Sequence, residues 1–281
     1  MTGVSELRAA AGANARSPMK WAFPSLVKGV GLCYTPPVPA ACVRVHAEAG
    51  PTPAEGVQRV VLASTSPRRR ELLEQVGLSF EIVPPDAEAE AGLHAGRNLS
   101  ETRQAVEAAA RAKAASVAAR MVPGTLVVAA DTVVVLGRKM LGKPRDPERA
   151  ARMLRNLSGR LHRVLTAVAV HRAGEETGLS ACEETRVRFR PLSEEEIAAY
   201  VSSGEPLDKA GAYGIQGLGA LLVERLEGCY FNVVGLPLVA LHRLLRASGV
   251  DLLAAPEDWP RPERAGSRKS GPDMEGGRCA W

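Results

Sequence analysis

At 281 residues the chain is long enough for one large domain or two small ones, and no run approaches the roughly 18 to 20 apolar residues that a membrane-spanning helix needs. A net charge of +5, carried by 29 arginines and 7 lysines, suits an anionic ligand, while 4% aromatics leave no stacking platform for single-stranded nucleic acid. Five scattered cysteines without a Cys-x-x-Cys pair argue against a disulfide framework and for a reducing, cytoplasmic setting.

Three textures follow along the chain. Residues 1–56 are rich in Ala, Gly and Pro, show no sustained period and read as a poorly ordered extension. Residues 251–281, with PEDWPRPERAGSRKSGPD, are too polar and proline-rich to bury a core. The folded domain is expected over 57–250.

Within it, RVVLA is a candidate buried strand. Ser66-Pro67 starts a helix, with serine as N-cap and proline at the first helical position, and Gly77 stops it. LSFEIV is a second strand, ending at Pro84-Pro85, and an alanine-rich helix spans about 100–120. TLVVAADTVVVL is a β-branched strand interrupted by one charge, Asp131. Asp146-Pro147 opens another helix, which closes near Ser158-Gly159. HRVLTAVAVH and ETRVRFR alternate as strands, and Ser193-x-x-Glu196 is a capping box leading into EEIAAYVSSG. Pro237 begins a last helix, LPLVALHRLLRASG. The order indicates an α/β domain with a mixed sheet.

Several residues can do chemistry. A strand, then Ser64-Thr65-Ser66-Pro67-Arg68-Arg69, then a helix is a physical anion site: the helix N-terminus carries partial positive charge, serines donate hydrogen bonds and arginines offer guanidinium forks. The plain alternative is a capped helix with solvated arginines. Asp131 inside an apolar strand needs a metal, a cation or water to offset its desolvation, and near a strand end it would serve as metal ligand or general base. A structural aspartate bonded to backbone is the alternative. Lys143, a dozen residues on across a hairpin-like turn, can share a cleft with Asp131; Lys113 can reach it from its helix, and both are otherwise surface lysines. The stretch GEPLDKAGAYGIQGLG gathers Glu205, Asp208, Lys209, Tyr213 and Gln216 among five glycines, a ligand-binding composition. His46, His94, His162, His171 and His242 lack close zinc spacing, so no zinc is assigned.

Three segments, ASTSPRRRELLEQVGLSFE, AADTVVVLGRKMLGKPRDPERAARMLRNLSGRLHRVLTAVAV and YVSSGEPLDKAGAYGIQGLGALLVERLEGCYFNVVGLPL, resemble the Maf family of nucleoside triphosphate pyrophosphatases in order, from about residue 58 to 246. The resemblance implies an inosine-triphosphate-pyrophosphatase-like α/β fold, a mixed sheet flanked by helices with a cleft between two lobes, and a homodimer. It also implies hydrolysis of a nucleoside triphosphate to monophosphate and pyrophosphate with a divalent metal, magnesium or manganese. Carried over by position, Asp131 accepts the proton of the attacking water and ligates metal, while Ser64, Ser66, Arg68, Arg69, Lys113, Lys143 and Lys209 bind phosphates or order the cleft. Arg68, Thr132 and Gln216 match the branch similar to dTTP/UTP pyrophosphatases, where the 7-methyl-GTP branch looks like Trp, Gln and Glu. One position departs: an ungapped comparison sets Ala89 where the family has a metal-binding glutamate, and Glu88 or Glu90 serves if the loop shifts by one residue. The expected partner is a nucleoside triphosphate, with no stable nucleic acid and no membrane. The competing expectation is a nucleotide-binding regulator of division or septum formation with little turnover.

Overall fold

The computed structural model describes residues 59–253 except 88, 90–95 and 97. The extension expected over 1–56, the tail beyond 253 and, with them, His46, His94, Cys33, Cys42, Cys279, Glu88 and Glu90 lie outside the described residues.

The long strand β3 (Leu126–Leu136) is rich in valine, whose branched Cβ favours a pleated ladder over a helix. Strand β5 (Leu161–Arg172) pairs antiparallel with it from Leu126 to Val135, so one edge of β3 is covered almost end to end. The opposite edge is divided. Strand β1 (Val60–Leu62) runs parallel to Leu126–Val128, and β4 (Lys139–Leu141) returns antiparallel against Val134–Leu136. Between them, no strand among the described residues pairs with Ala129–Val133 on that edge. Asp131 sits in the middle of the gap. It lies inside the strand, as its sequence pattern indicates, at the point where β3 changes strand partner on that edge.

Among the described residues the sheet has seven strands in the order β2-β1-β3-β5-β6-β7, with β4 off this path against β3. Here β2 is Glu81–Ile82, β6 Leu179–Phe189 and β7 Val223–Glu227. β2 keeps only two residues of the expected LSFEIV strand. β4 is too short to show a period, and β7 is a half-exposed edge strand that sequence pattern did not separate from loop.

Alternation along β3 decides which layer each side chain meets. Val127, Ala129, Val133 and Val135 pack with Val106, Ala110, Ala114 and Val117 of helix α2 (Leu99–Ala118). Asn98 caps that helix by accepting from the Glu101 N–H. On the other face, Leu126, Val128 and Ala130 pack under α1 (Pro67–Gln75) and the C-terminal helix (Leu238–Ala247). A third cluster forms around Val134, from α3 (Pro147–Leu157), α4 (Glu194–Ser202), Phe189 and Tyr213. Asp146 caps α3, and the Ser193/Glu196 capping box is present on α4. The cleft opens between the first two clusters and the third.

His162 is buried in the third cluster, edge-on to Phe189 and Tyr213, with Nε2 2.7 Å from the Tyr213 hydroxyl. Burial pushes its pKa down to about 4, opposed by an approach to the Arg160 backbone that falls short of a hydrogen bond at Nδ1. The unfolded chain therefore takes up this proton near pH 6.5 while the fold refuses it until about 4, so stability is lost as pH falls through that window. The loss amounts to about 3 kcal/mol by pH 4. Chemical denaturation of His162→Gln across this range should give a flatter acid limb than the parent; parallel limbs would refute the assignment.

Candidate active site

A cleft of about 550 Å³ opens at the gap in β3. Its walls are the Ser64–Arg69 turn, the centre of β3, the turn after β4, the 208–216 loop and the Val233–Gly235 turn. Ser64, Ser66, Arg68, Arg69, Lys113, Asp131, Thr132, Lys143, Lys209 and Gln216 all line it. Among the described residues, five cationic side chains thus line this cleft with two carboxylates, Asp131 and Asp208. That imbalance attracts a polyanion.

Asp131 faces the α2 side of the sheet, and α2 supplies its counter-ion. The Lys113 ammonium lies 2.6 Å from Asp131 Oδ1, with the two side chains only 6% and 14% exposed. Lys113 is therefore a buried partner and not a solvated helix residue. Among the described residues Oδ2 of Asp131 has no hydrogen bond, so one carboxylate oxygen remains for a ligand in the cleft.

Thr132, one residue on, faces the opposite layer. Its hydroxyl receives Nη2 of Arg69 at 3.2 Å and lies 3.0 Å from the Thr166 hydroxyl, its direct neighbour on β5. Thr166 gives its only proton to the carbonyl of Asn232, 2.8 Å away. Thr132 must then donate to Thr166 and accept from Arg69, which fixes its rotor. Arg69 also donates to the Ser64 hydroxyl at 3.1 Å and, through Nε, to the Gly235 carbonyl at 2.9 Å. Its guanidinium knits three walls together. The family resemblance left Arg69 to bind phosphate or to order the cleft; its partners, distant along the chain, are those of a tie between walls. Thr166 and the buried Asn232, which complete the network, gave no local signal.

The turn leads into the N-terminus of α1 and lines the cleft. Ser66 occupies the N-cap of α1 without making a side-chain cap bond, and Pro67 brings no N–H to satisfy. The Ser64 hydroxyl accepts from the Ser66 N–H at 3.2 Å, holding the turn. Across the cleft mouth, Arg68 reaches Asp208 at 3.5 Å, and Asp208 also receives Lys209 at 2.8 Å. Lys209 further donates to the Glu205 carbonyl at 2.6 Å. Lys143 is exposed in the turn after β4 and makes no hydrogen bond or ion pair among the described residues.

The Maf-like protein family matches residues 59–248. The chain belongs to this family. It is 49% identical over 191 residues to the dTTP/UTP pyrophosphatase of Carboxydothermus hydrogenoformans, covering 68% of this chain and 99% of that one. It is 52% identical to the protein of the same name from Anaeromyxobacter dehalogenans, covering 73% and 98%. A weaker likeness, 16% identical with a TM-score of 0.34, spans 67% of this chain and 96% of the nucleoside-triphosphatase / dITP/XTP pyrophosphatase of Mycobacterium abscessus.

In this Maf-like chain no three His, Cys, Asp or Glu side chains come together among the described residues. Ala89, at the place of an expected glutamate, is half-buried in helical backbone. Glu88 and Glu90 lie outside the described residues. Asp131 alone would be one oxygen ligand for a divalent cation, a kind of ion that proteins commonly hold through one or two carboxylates.

Thr132→Val keeps the shape of the side chain and deletes the hydroxyl, stripping Thr166 and Arg69 of a shared partner. Urea denaturation should show a loss of about 1–3 kcal/mol. A variant as stable as the parent would mean that the Arg69–Thr132–Thr166 chain does not hold the cleft.

Proposed function

We propose that this Maf-like chain hydrolyses dTTP, UTP and modified pyrimidine triphosphates to the nucleoside monophosphate and pyrophosphate. One observation carries the reading: among the described residues, a carboxylate with one oxygen not hydrogen-bonded, set in a strand gap, lines one cleft with five cationic side chains. The relatives, named dTTP/UTP pyrophosphatases and matched over nearly their whole length, supply the substrate class.

In this reading a water attacks the α-phosphorus. The new bond is from water oxygen to phosphorus, the bond that breaks joins the α-phosphorus to the α–β bridging oxygen, and pyrophosphate leaves with that oxygen. Asp131 takes the water's proton and later releases it to solvent. Lys113, 2.6 Å from Oδ1, holds the Asp131 carboxylate in its orientation. Ser64, Ser66, Arg68, Lys143 and Lys209 hold phosphate oxygens, and Arg69 orders the wall behind them. Positioning and charge neutralisation are most of what phosphoryl chemistry asks of a protein. Asp131, with Glu88 or Glu90, would hold a divalent cation, magnesium or manganese, which would add neutralisation of the phosphate charge. The amide of Gln216 offers one donor and one acceptor, matching a carbonyl and the N3–H of thymine or uracil.

The same proposal places the domain at 57–250, with 1–56 and 251–281 as extensions, in a cytoplasmic homodimer. No helix of the described residues is long and apolar enough to cross a membrane.

Purified protein given UTP or dTTP with magnesium should release pyrophosphate, and Asp131→Asn should cut that release about 10²–10⁴-fold. Tight nucleotide binding without pyrophosphate release would instead favour a regulator of division or septum formation. Undiminished turnover by Asp131→Asn would remove Asp131 from the reaction.

A further inference from the structure

The loop that carries Gln216 is held from below by a carboxylate that belongs neither to the phosphate wall nor to the metal side. Glu205 opens a 3-10 turn (Glu205–Asp208), and its side chain points back under the glycine-rich stretch. Oε1 accepts from the Gly219 N–H at 3.1 Å and from the Tyr200 hydroxyl at 2.9 Å, while Oε2 accepts from the Leu218 N–H at 3.0 Å. The Tyr200 hydroxyl in turn accepts the Gly214 N–H at 3.2 Å. The backbone on both sides of Gln216 is thereby tied to one carboxylate and one phenol.

Tyr200 is 4% exposed, and burial foremost, with Glu205 adding to it, pushes its phenol well above the ordinary range. It therefore stays protonated and donates to Glu205. The glycines follow from the same hub. A Cβ at Gly217, whose φ is +63°, would stand 2.8 Å from Glu205 Oε2. At Gly219 it would stand 2.1 Å from the Gly214 carbonyl oxygen and 2.6 Å from the Tyr200 hydroxyl. The loop folds back so tightly on this pair that side chains at those two positions have no room.

We propose that Glu205, acting with Tyr200, is a positioning residue for nucleobase selection: it sets the height and direction of the Gln216 loop and touches no substrate atom itself. This rests on the pyrimidine triphosphate reading above. A carboxylate is suited to the task because it only accepts, and each of its ties here comes from an N–H or O–H donor. Glu205→Gln replaces one oxygen by an NH₂ group, setting donor against donor at Leu218 or Gly219. The backbone carbonyl that holds Lys209 is untouched by the change.

The test compares pyrophosphate release from UTP and CTP with magnesium, and inhibition by inorganic tripolyphosphate, which has phosphates and no base. Glu205→Gln should raise the KM for UTP about tenfold, shift kcat far less, and shrink the UTP-to-CTP ratio of kcat/KM, with tripolyphosphate inhibition unchanged. Tyr200→Phe, which keeps the buried ring, should move the same quantities in the same direction by a smaller factor. It decides the matter if Glu205→Gln does not fold. An unchanged UTP-to-CTP ratio in folded variants overturns the inference while leaving the activity standing. A rise in the tripolyphosphate inhibition constant in step with KM overturns it too, since the damage would then be to the whole cleft. Failure of the parent protein to release pyrophosphate from UTP or dTTP overturns the underlying reading, and this inference with it.

Discussion

A carboxylate at the centre of a valine-rich strand is tolerable because an ammonium meets it 2.6 Å away. The Lys113–Asp131 pair sets the terms for much of what surrounds it. Both side chains are largely buried, so removing either leaves an uncompensated charge, which costs far more than the pair contributes. The pair also demands a helix that presses close to the sheet. The alanine-rich face of α2 provides this, with Ala110, Ala114 and Val117 against Ala129 and Val133. Finally it demands a break in the ladder, since a strand on that edge of β3 would close the space in front of Asp131. The exchange of β1 for β4 supplies the break.

From that centre, the two-residue period of β3 distributes the work. Asp131 looks toward α2 and meets its lysine; Thr132 looks toward α1 and meets Arg69. Neighbours in sequence thus belong to two separate networks on opposite faces of one strand. The Arg69 network joins the Ser64 turn, β3 and the Gly235 turn, while the Glu205–Tyr200 hub shapes the facing loop. Two braces, one centred on Arg69 and one on Glu205, thus hold much of the cleft wall in place. Such preorganisation is what lets fixed charges act without reorganising during reaction.

Much of this was legible in the sequence where the signal is local. Capping residues Asp146 and Ser193 stand where their side chains say they should, because an N-cap is decided within four residues. Asp131 stood out because one charge in a β-branched run has no cheap explanation. What stayed hidden depends on contacts distant in the chain. Arg69 reads as a solvent-facing fork until Gly235, 166 residues away, is seen to take its Nε. Lys113 sits in a stretch rich in alanine and charge, where nothing local distinguishes the buried position. Glu205 lay in plain view within a glycine-rich stretch, but composition reports a loop's freedom and not what pins it. Ser66 shows the opposite error, since an N-cap position filled by serine does not oblige the hydroxyl to cap.

The state of the cations before substrate arrives bears on how a triphosphate would enter. Lys113 is committed to Asp131, and both side chains are largely buried. Arg68 and Lys209 share Asp208, whose side chain is 60% exposed, and the Arg68 contact spans 3.5 Å. An ion pair so open to water is worth little. Under the proposed function a phosphate would offer Arg68 a bidentate partner with more charge than a carboxylate, so exchange would be easier at this pair than at Lys113. Lys143, exposed and unpaired among the described residues, needs no exchange at all. The cleft would therefore fill from its mouth, trading the weak pair at Asp208 for phosphate contacts while the pair that keeps Asp131 in place stays intact.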